Sequence, residues 1–213
     1  MRNIRGAMYN VVYDYFHADF TAELYRDFID SIPANSTVLD IGIGTGTALM
    51  RNRDMIKQKN IKIYGVDIDI DYVARCRNVI ERNDMSEYVQ IRQQDVMKLS
   101  NRHKFDYVLY SDSYAVIDNV HDMIDHTRQY LNKDGKIVVI TTLDNEACKF
   151  RDYIKSHIKY VTSIELGHQK LYDDFVEAVR DNYTYEMYGV YWGSYPIYGE
   201  FITYRAILSP RGD

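Results

Sequence analysis

The sequence predicts an α/β fold in which a mostly parallel, seven-stranded sheet lies between two layers of helices. Apolar, β-rich segments alternate with segments of helical periodicity over residues 37–142, which is the pattern of a parallel sheet with right-handed crossovers. A glycine-rich turn joins the first of these strands directly to a helix. Two later segments, 183–191 and 200–208, alternate apolar and polar residues and predict an antiparallel hairpin at one edge of the sheet.

The length of 213 residues fits a single domain, 1–213, in which residues 1–32 would form an N-terminal cap over the active site. Hydrophobic residues make up 46% of the chain and charged residues 27%, as in ordinary globular proteins. No apolar run reaches the roughly 18 residues that a membrane span needs, and the first residues lack the apolar core of a secretory signal. Cys76 and Cys148 have no metal-type companions nearby, which predicts free thiols, no metal site and a cytoplasmic location.

The formal net charge of −5 argues against a dominant phosphate-binding surface, because nucleic-acid-binding proteins usually carry a basic face. The chain contains 21 tyrosines, which are concentrated before residue 26 and after residue 182. A tyrosine combines an apolar ring with a polar hydroxyl, which suits a small-molecule pocket as well as ordinary core and interface positions. The composition therefore favours a small-molecule partner over nucleic acid, and it leaves the oligomeric state open.

The strands are predicted from runs of β-branched, aromatic and other apolar residues. The most strongly strand-like run follows a turn predicted at residues 132–135 and would be the fifth strand. The seven predicted strands are 37–41, 61–66, 88–93, 105–110, 136–142, 183–191 and 200–208.

The helices are predicted from apolar residues spaced three and four positions apart. Pro33 ends the first of them, and Asp69 is placed to cap the third. The predicted helices cover about 20–32, 46–59, 70–83, 119–131, 145–157 and 169–181.

The turn after the first strand is the feature on which the function prediction depends. Gly42, Gly44 and Gly46 follow the strand at two-residue spacing, and a helical pattern begins at Thr47. A turn without side chains lets a ligand lie against the backbone, and the amino end of the following helix favours a carboxylate or phosphate. Asp40, near the end of the buried strand, is costly to bury unless another group pairs with it.

The spacing of these residues distinguishes two kinds of nucleotide site. A dinucleotide-binding turn reads Gly-x-Gly-x-x-Gly, and its acid arrives only at the second strand. Here an acid precedes Gly-x-Gly-x-Gly, which resembles motif I of the class I S-adenosylmethionine-dependent methyltransferases. The resemblance implies a three-layer, Rossmann-like methyltransferase fold and S-adenosylmethionine as the cofactor. The positions that match motif I are Val38, Leu39, Asp40, Gly42, Gly44 and Gly46.

Further cofactor-binding residues are predicted at the ends of the next strands. Asp67 ends the second strand, where a carboxylate can accept both ribose hydroxyls, and it matches the acidic motif of the family. Asp95 and Val96 resemble the motif that contacts the adenine amino group and ring, and Ile68 would pack on the adenine face. Ser111 ends the fourth strand, where the family binds the methionyl amine.

Methyl transfer from a sulfonium is an in-line displacement that needs positioning, desolvation and, for a protonated acceptor, a general base. The sequence contains no diagnostic base. The fourth strand also lacks the Asn/Asp-Pro-Pro-Tyr/Phe motif of amino-group methyltransferases, which disfavours adenine, cytosine-N4 and glutamine acceptors and leaves RNA open. The candidate catalytic residues are Asp112, Tyr114 and His121, and the candidate pocket residues are Tyr9, Tyr13 and His17.

These observations lead to a methyltransferase that acts on oxygen or nitrogen of a small molecule, without a membrane partner. The first alternatives are a protein or RNA acceptor. A second class is an NAD(P)-linked oxidoreductase, which the glycine spacing disfavours. A third class is a domain that binds the cofactor without catalysis, which an intact glycine turn does not distinguish from an enzyme.

Overall fold

A computed structural model describes residues 19–100, 102–117, 119–144, 171–195 and 199–212. The seven strands form one sheet in the order β3-β2-β1-β4-β5-β7-β6. The first five strands pair in parallel, and β7 runs antiparallel to both β5 and β6, as the sequence predicts. The strands are β1 Thr37–Ile41, β2 Lys62–Asp67, β3 Val89–Gln93, β4 Phe105–Ser111, β5 Leu131–Leu143, β6 Tyr183–Tyr195 and β7 Gly199–Pro210.

Helices cover both faces of the sheet, which confirms the three-layer prediction. Consecutive residues of β5 point to opposite faces, so Ile137 and Val139 join one hydrophobic core while Val138 and Ile140 join the other. The described helices are α1 19–31, α2 Thr47–Met50, α3 Arg53–Lys59, α4 Ile70–Arg82, α5 Val120–Thr127 and α6 Tyr172–Val179, with 3₁₀ turns at Val96–Lys98, Ser113–Val116 and Arg128–Tyr130.

The prediction of a single helix over about 46–59 is wrong, because the chain forms two short helices, α2 and α3, in this stretch. Asn52, between α2 and α3, is buried and donates from Nδ2 to the carbonyl oxygen of Ala22 at 2.8 Å. The same amide lies 3.4 Å from the carbonyl oxygen of Ala48. Asparagine is a poor helix former whose side chain competes for backbone hydrogen bonds. The break therefore ties this region to α1.

The predicted turn at 132–135 is an irregularity inside β5. Phe105 of β4 pairs with Leu131, but Tyr107 pairs with Lys136, so residues 132–135 face only Asp106. The extra residues bulge from the ladder, as expected where one strand is longer than its partner. The predicted helix at about 119–131 is also shorter, because its last turn is a 3₁₀ turn.

Some of the predictions fall on residues outside the described ranges. These are the predicted helix at about 145–157 and the predicted pocket residues Tyr9, Tyr13 and His17. The helix predicted at about 169–181 is described as α6, Tyr172–Val179. None of the described helices combines the length and hydropathy that a membrane crossing requires.

Candidate functional site

The turn between β1 and α2 has the backbone conformation that its glycines suggest. Gly42, Gly44 and Gly46 have φ angles of 72°, 61° and 68°, a left-handed region that side chains rarely adopt. A Cβ atom at Gly42 would lie 2.6 Å from Cβ of Ser113, and one at Gly46 would lie 2.6 Å from Sγ of Cys76. At Gly44 a Cβ atom would meet no described atom within 4 Å. Two glycines thus permit close packing, and the middle one exposes bare backbone to open space.

The helix after this turn contributes less than the sequence predicts. α2 contains four residues, Thr47–Met50, before the break at Asn52. A macrodipole is the sum of aligned peptide dipoles, so four residues produce only a small one. The N–H groups of the turn are also largely used, because those of Gly42 and Ile43 donate to the carbonyl of Val66 and that of Gly44 donates to Asp67. The turn therefore offers a ligand its open face at Gly44 and the carboxylates beside it.

Asp67, the last residue of β2, joins two turns at the carboxyl edge of the sheet. Its Oδ2 accepts the backbone N–H of Gly44 at 2.9 Å, and its Oδ1 accepts the N–H of Asp69 at 2.9 Å. Asp69 in turn caps α4 through N–H groups of Asp71 and Tyr72, as predicted. Because each carboxylate oxygen has two lone pairs, Asp67 can still accept hydrogen bonds from a ligand hydroxyl.

The residues predicted for the adenine end lie along the same edge. The N–H of Gln94 donates to the carbonyl of Asp67 at 2.9 Å, which places the turn after β3 beside the end of β2. Asp95 accepts the N–H of Met97 at 3.0 Å and caps a 3₁₀ turn. Val96 is buried in the core, whereas Ile68 is 74% exposed and offers an apolar surface next to Asp67.

A buried polar cluster lies beneath the glycine turn. Asp40 is 1% exposed, and its Oδ2 accepts a hydrogen bond from the Tyr25 hydroxyl at 2.8 Å. Its Oδ1 and the hydroxyl of Ser111 are buried without a hydrogen-bond partner among the described residues. Burial raises the pKa of Asp40 to about 7, the Tyr25 hydrogen bond opposes this, and the charge of Asp67 adds to it. Asp40 Oδ1 and Ser111 Oγ therefore remain able to form hydrogen bonds, and the backbone at Gly44 is open. These features are compatible with a polar ligand at this edge of the sheet.

The three predicted catalytic residues lie at or beyond the end of β4. Asp112 has a left-handed φ of 61°, and its N–H donates to the carbonyl of Ile140 at 2.8 Å. Tyr114 is 1% exposed, and its ring packs against those of Phe175 and His121 at centroid distances of 5.4 and 6.2 Å. Burial raises the pKa of Tyr114, which disfavours it as a base. His121 is exposed near the start of α5.

Two residues of the site were not singled out in the sequence. Tyr25 lies on the inner, apolar face of α1. A tyrosine on a buried helix face, together with an acid in β1 that needs a partner, is the sequence signal that could have predicted this pair. Ser113 donates its hydroxyl to the carbonyl of Ile41 at 2.6 Å and packs beneath Gly42. No local pattern identifies Ser113.

A separate cleft of about 460 Å³ lies at the opposite, amino end of β5. Its basic lining residues are Arg128, Lys133, Lys136 and Arg211. The parallel strands end at the glycine turn and begin at this cleft, so the two sites occupy opposite edges of the sheet. Within the described chain, no group of three His, Cys, Asp or Glu residues is arranged to hold a metal ion.

Comparison with known proteins identifies the class to which this fold and site belong. A methyltransferase domain family model matches residues 32–186, so the chain belongs to that family. Together with the seven-stranded fold, this match confirms the predicted class I S-adenosylmethionine-dependent methyltransferase and its cofactor.

Among curated proteins, the chain is similar to two carboxy-S-adenosyl-L-methionine synthases of Histophilus somni. It is 28% identical to that of strain 2336 over 146 residues, which is 65% of this chain and 54% of that protein. It is 37% identical to that of strain 129Pt over 68 residues, 32% of this chain and 28% of that protein. The chain thus spans about half or less of the curated relatives that it matches.

Solved structures share the fold at low sequence identity. Geranyl diphosphate C-methyltransferase from Streptomyces coelicolor A3(2) has a TM-score of 0.67 and 14% identity, with 90% of this chain and 79% of that chain covered. The [4+2]-cyclase SpnF has a TM-score of 0.69 and 15% identity, with 90% and 82% covered. The MccD protein has a TM-score of 0.66 and 13% identity, with 90% and 97% covered. These similarities establish the architecture alone.

Proposed function

We propose that this chain binds S-adenosylmethionine at the carboxyl edge of β1, β2 and β4 and transfers the methyl group to oxygen or nitrogen of a small molecule. The observation that carries the proposal is the hydrogen bond from Gly44 to Asp67, which fixes a carboxylate beside the open backbone of the glycine turn. Family membership supplies the reaction class.

Different residues at this edge would bind different parts of the cofactor. The turn Gly42–Gly46 takes the amino acid end, and Asp67 accepts the ribose hydroxyls through its remaining lone pairs. Ile68, Asp95 and Val96 take the adenine, with Ile68 supplying an exposed apolar face. When bound, the cofactor supplies a methyl group on a positively charged sulfur that is a good leaving group.

The catalytic contribution of the chain is positioning and the exclusion of water. A protonated acceptor also needs a base, and Asp112 and His121 are better candidates than Tyr114, whose buried phenol is held neutral. Tyr9, Tyr13 and His17 remain the proposed pocket residues, and residues 1–32 the proposed cap of a single domain.

Three observations support a small-molecule acceptor. The chain is acidic overall. The basic cleft lies at the edge opposite the glycine turn, so it does not line the proposed cofactor site. Structural neighbours include enzymes whose names give small acceptors, geranyl diphosphate and phosphoethanolamine. The cytoplasmic location stays a prediction.

The proposal is tested first by binding and then by turnover. Calorimetry with S-adenosylmethionine and S-adenosylhomocysteine should detect both ligands in the wild type and much weaker binding in Asp67→Ala. Asp69→Ala is the matched control, because it removes a nearby carboxylate that caps α4 without facing Gly44. Binding of NAD(P) in place of these ligands would support the oxidoreductase and refute the proposal.

Turnover is measured with a radiolabelled methyl donor against pools of small molecules, peptides and RNA. Label in a small molecule supports the proposal, whereas label only in peptide or RNA moves the acceptor to another class. Tight cofactor binding without label in any pool would favour a non-catalytic domain.

A second candidate follows from the curated relatives, both of which are named carboxy-S-adenosyl-L-methionine synthases. In that case S-adenosylmethionine is a substrate: a C–H bond of it loses its proton, and the carbon forms a bond to a carboxyl group that a second substrate donates at the oxidation level of carbon dioxide. Mass spectrometry separates the two reactions, because methyl transfer produces S-adenosylhomocysteine and carboxylation produces a molecule heavier than S-adenosylmethionine.

A further inference from the structure

The hydrogen bond between Tyr25 and Asp40 lies under the cofactor edge rather than on it. Tyr25 is 3% exposed and Asp40 is 1% exposed, so water does not compete for this bond. Tyr25 comes from α1, which packs on the same face of the sheet as Val38 and Cys76. Asp40 is two residues before Gly42, so the carboxyl group is held directly below the start of the glycine turn.

Among the described residues, the titratable groups that interact with Asp40 come from three elements, and none of them is a cation. They are Tyr25 from α1, Asp67 from β2 and Cys76 from α4, while the hydroxyl of Ser111 from β4 lies beside Tyr25. Burial raises the pKa of Cys76 to about 12 and that of Tyr25 well above its usual range, so both stay neutral near pH 7. The Asp40 carboxylate therefore lacks a described positive partner.

We propose that Tyr25 is a positioning residue that holds Asp40 as a buried carboxylate, and that this charge makes the site prefer the sulfonium of S-adenosylmethionine to the neutral thioether of S-adenosylhomocysteine. A phenol that donates to a carboxylate stabilises its ionised form. A buried negative charge attracts a nearby cation more strongly than an exposed one does, because water screens it less. This inference rests on the proposed function, since it requires the cofactor to bind at the glycine turn.

The consequence for the reaction is a site that favours donor over product. Methyl transfer removes the positive charge from the sulfur, so the attraction of Asp40 is lost at the moment the product forms. The preference should depend on pH, because Asp40 is half ionised at its pKa of about 7 in the ligand-free protein. A bound sulfonium favours ionised Asp40, so donor binding releases a proton below that pH.

The experiment measures the ratio of the two dissociation constants by calorimetry between about pH 6 and about pH 10, a range that covers this pKa and the higher one expected of the variant below. In the wild type, the preference for S-adenosylmethionine should rise by roughly threefold or more, since one released proton changes affinity by up to about tenfold per pH unit. In Tyr25→Phe, loss of the hydrogen bond should move the rise to higher pH by about one to two units. Asp40→Asn removes this carboxyl group. The pH dependence that remains in the ratio for this variant therefore comes from the titration of the ligand's own amino group.

Tyr110→Phe is the matched control for loss of a buried tyrosine hydroxyl. Tyr110 is fully buried in the opposite core and hydrogen-bonds to Thr127 rather than to a carboxyl group. It should keep the wild-type pH profile. If Tyr25 has only a structural role, its variant should weaken both ligands equally and leave their ratio unchanged, which overturns the inference.

The remaining outcomes separate this inference from the proposed function. If the ratio has the same pH dependence in the wild type and in Asp40→Asn, the inference is overturned, because Asp40 then has no effect on the preference. This comparison does not require Tyr25→Phe to fold. Such a result would not contradict cofactor binding at the glycine turn. If the folded wild type binds neither ligand, the proposed function itself fails. Carbon-13 NMR of the Asp40 carboxyl in wild type and Tyr25→Phe gives a second readout, and an unchanged titration midpoint would count against the role of Tyr25.

Discussion

Replacing Asp40 with asparagine should change how the stability of the ligand-free protein depends on pH. Asp40 is buried in the folded chain, and burial raises its pKa from 3.8 to about 7. The unfolded chain releases this proton at lower pH than the folded chain does. Between these two values the folded state holds more protons, so its stability falls as the pH rises.

The size of the effect follows from the distance between the two pKa values. A difference of roughly three pH units, at about 1.4 kcal/mol per unit, corresponds to about 4 kcal/mol of unfolding free energy. This contribution is fully present below the pKa of the unfolded state and is lost as the pH rises through about 7. The asparagine side chain of the variant does not titrate, and its amide oxygen can still accept the Tyr25 hydrogen bond.

The assay is urea denaturation of wild type and Asp40→Asn at several values between about pH 4 and about pH 8. The unfolding free energy of the wild type relative to the variant should decrease by about 4 kcal/mol across this range and then level off. Parallel profiles for the two proteins would refute the reasoning. Asp106→Asn is a control of opposite sign, because hydrogen bonds from Thr37 and Asn132 outweigh burial and lower the pKa of Asp106, whose contribution is therefore lost as the pH falls.

Three further predictions, which use four substitutions, test the site and the residues that support it. Asp67→Ala should weaken S-adenosylmethionine by roughly 1.5–3 kcal/mol through loss of charge-assisted hydrogen bonds, and unchanged affinity in calorimetry would reject its role. Gly44→Ala should cost about 1–2 kcal/mol of stability in urea denaturation from backbone strain at its positive φ. Gly46→Ala should cost about 2–5 kcal/mol, because the same strain is added to a clash of its Cβ with Cys76. Equal costs would contradict the packing difference. Asn52→Ala should destabilise the fold by about 1–3 kcal/mol without changing cofactor affinity, since it leaves the carbonyl of Ala22 without its buried donor. A selective loss of affinity in this last variant would show that the break between α2 and α3 acts on the site.

Much of the fold could be predicted because its signals are local. The strands β1 and β2, the cap of α4 by Asp69 and the C-terminal hairpin each depend on residues a few positions apart. The break at Asn52 could not be predicted in this way. Its amide bonds to Ala22, 30 residues earlier, so the partner appears only once α1 packs against the sheet.

By itself, the sequence determined the order of most strands and helices along the chain, the glycine turn and the position of an acid at the end of β2. Backbone conformation and hydrophobic periodicity are set over short stretches, so these features can be read without the fold. The tertiary structure decided which groups meet: Tyr25 with Asp40, Gly44 with Asp67, and Cys76 with Gly46. The physical reason is that a buried polar group must find its partner on whichever element packs against it, and that choice depends on the whole arrangement of the sheet and its helices.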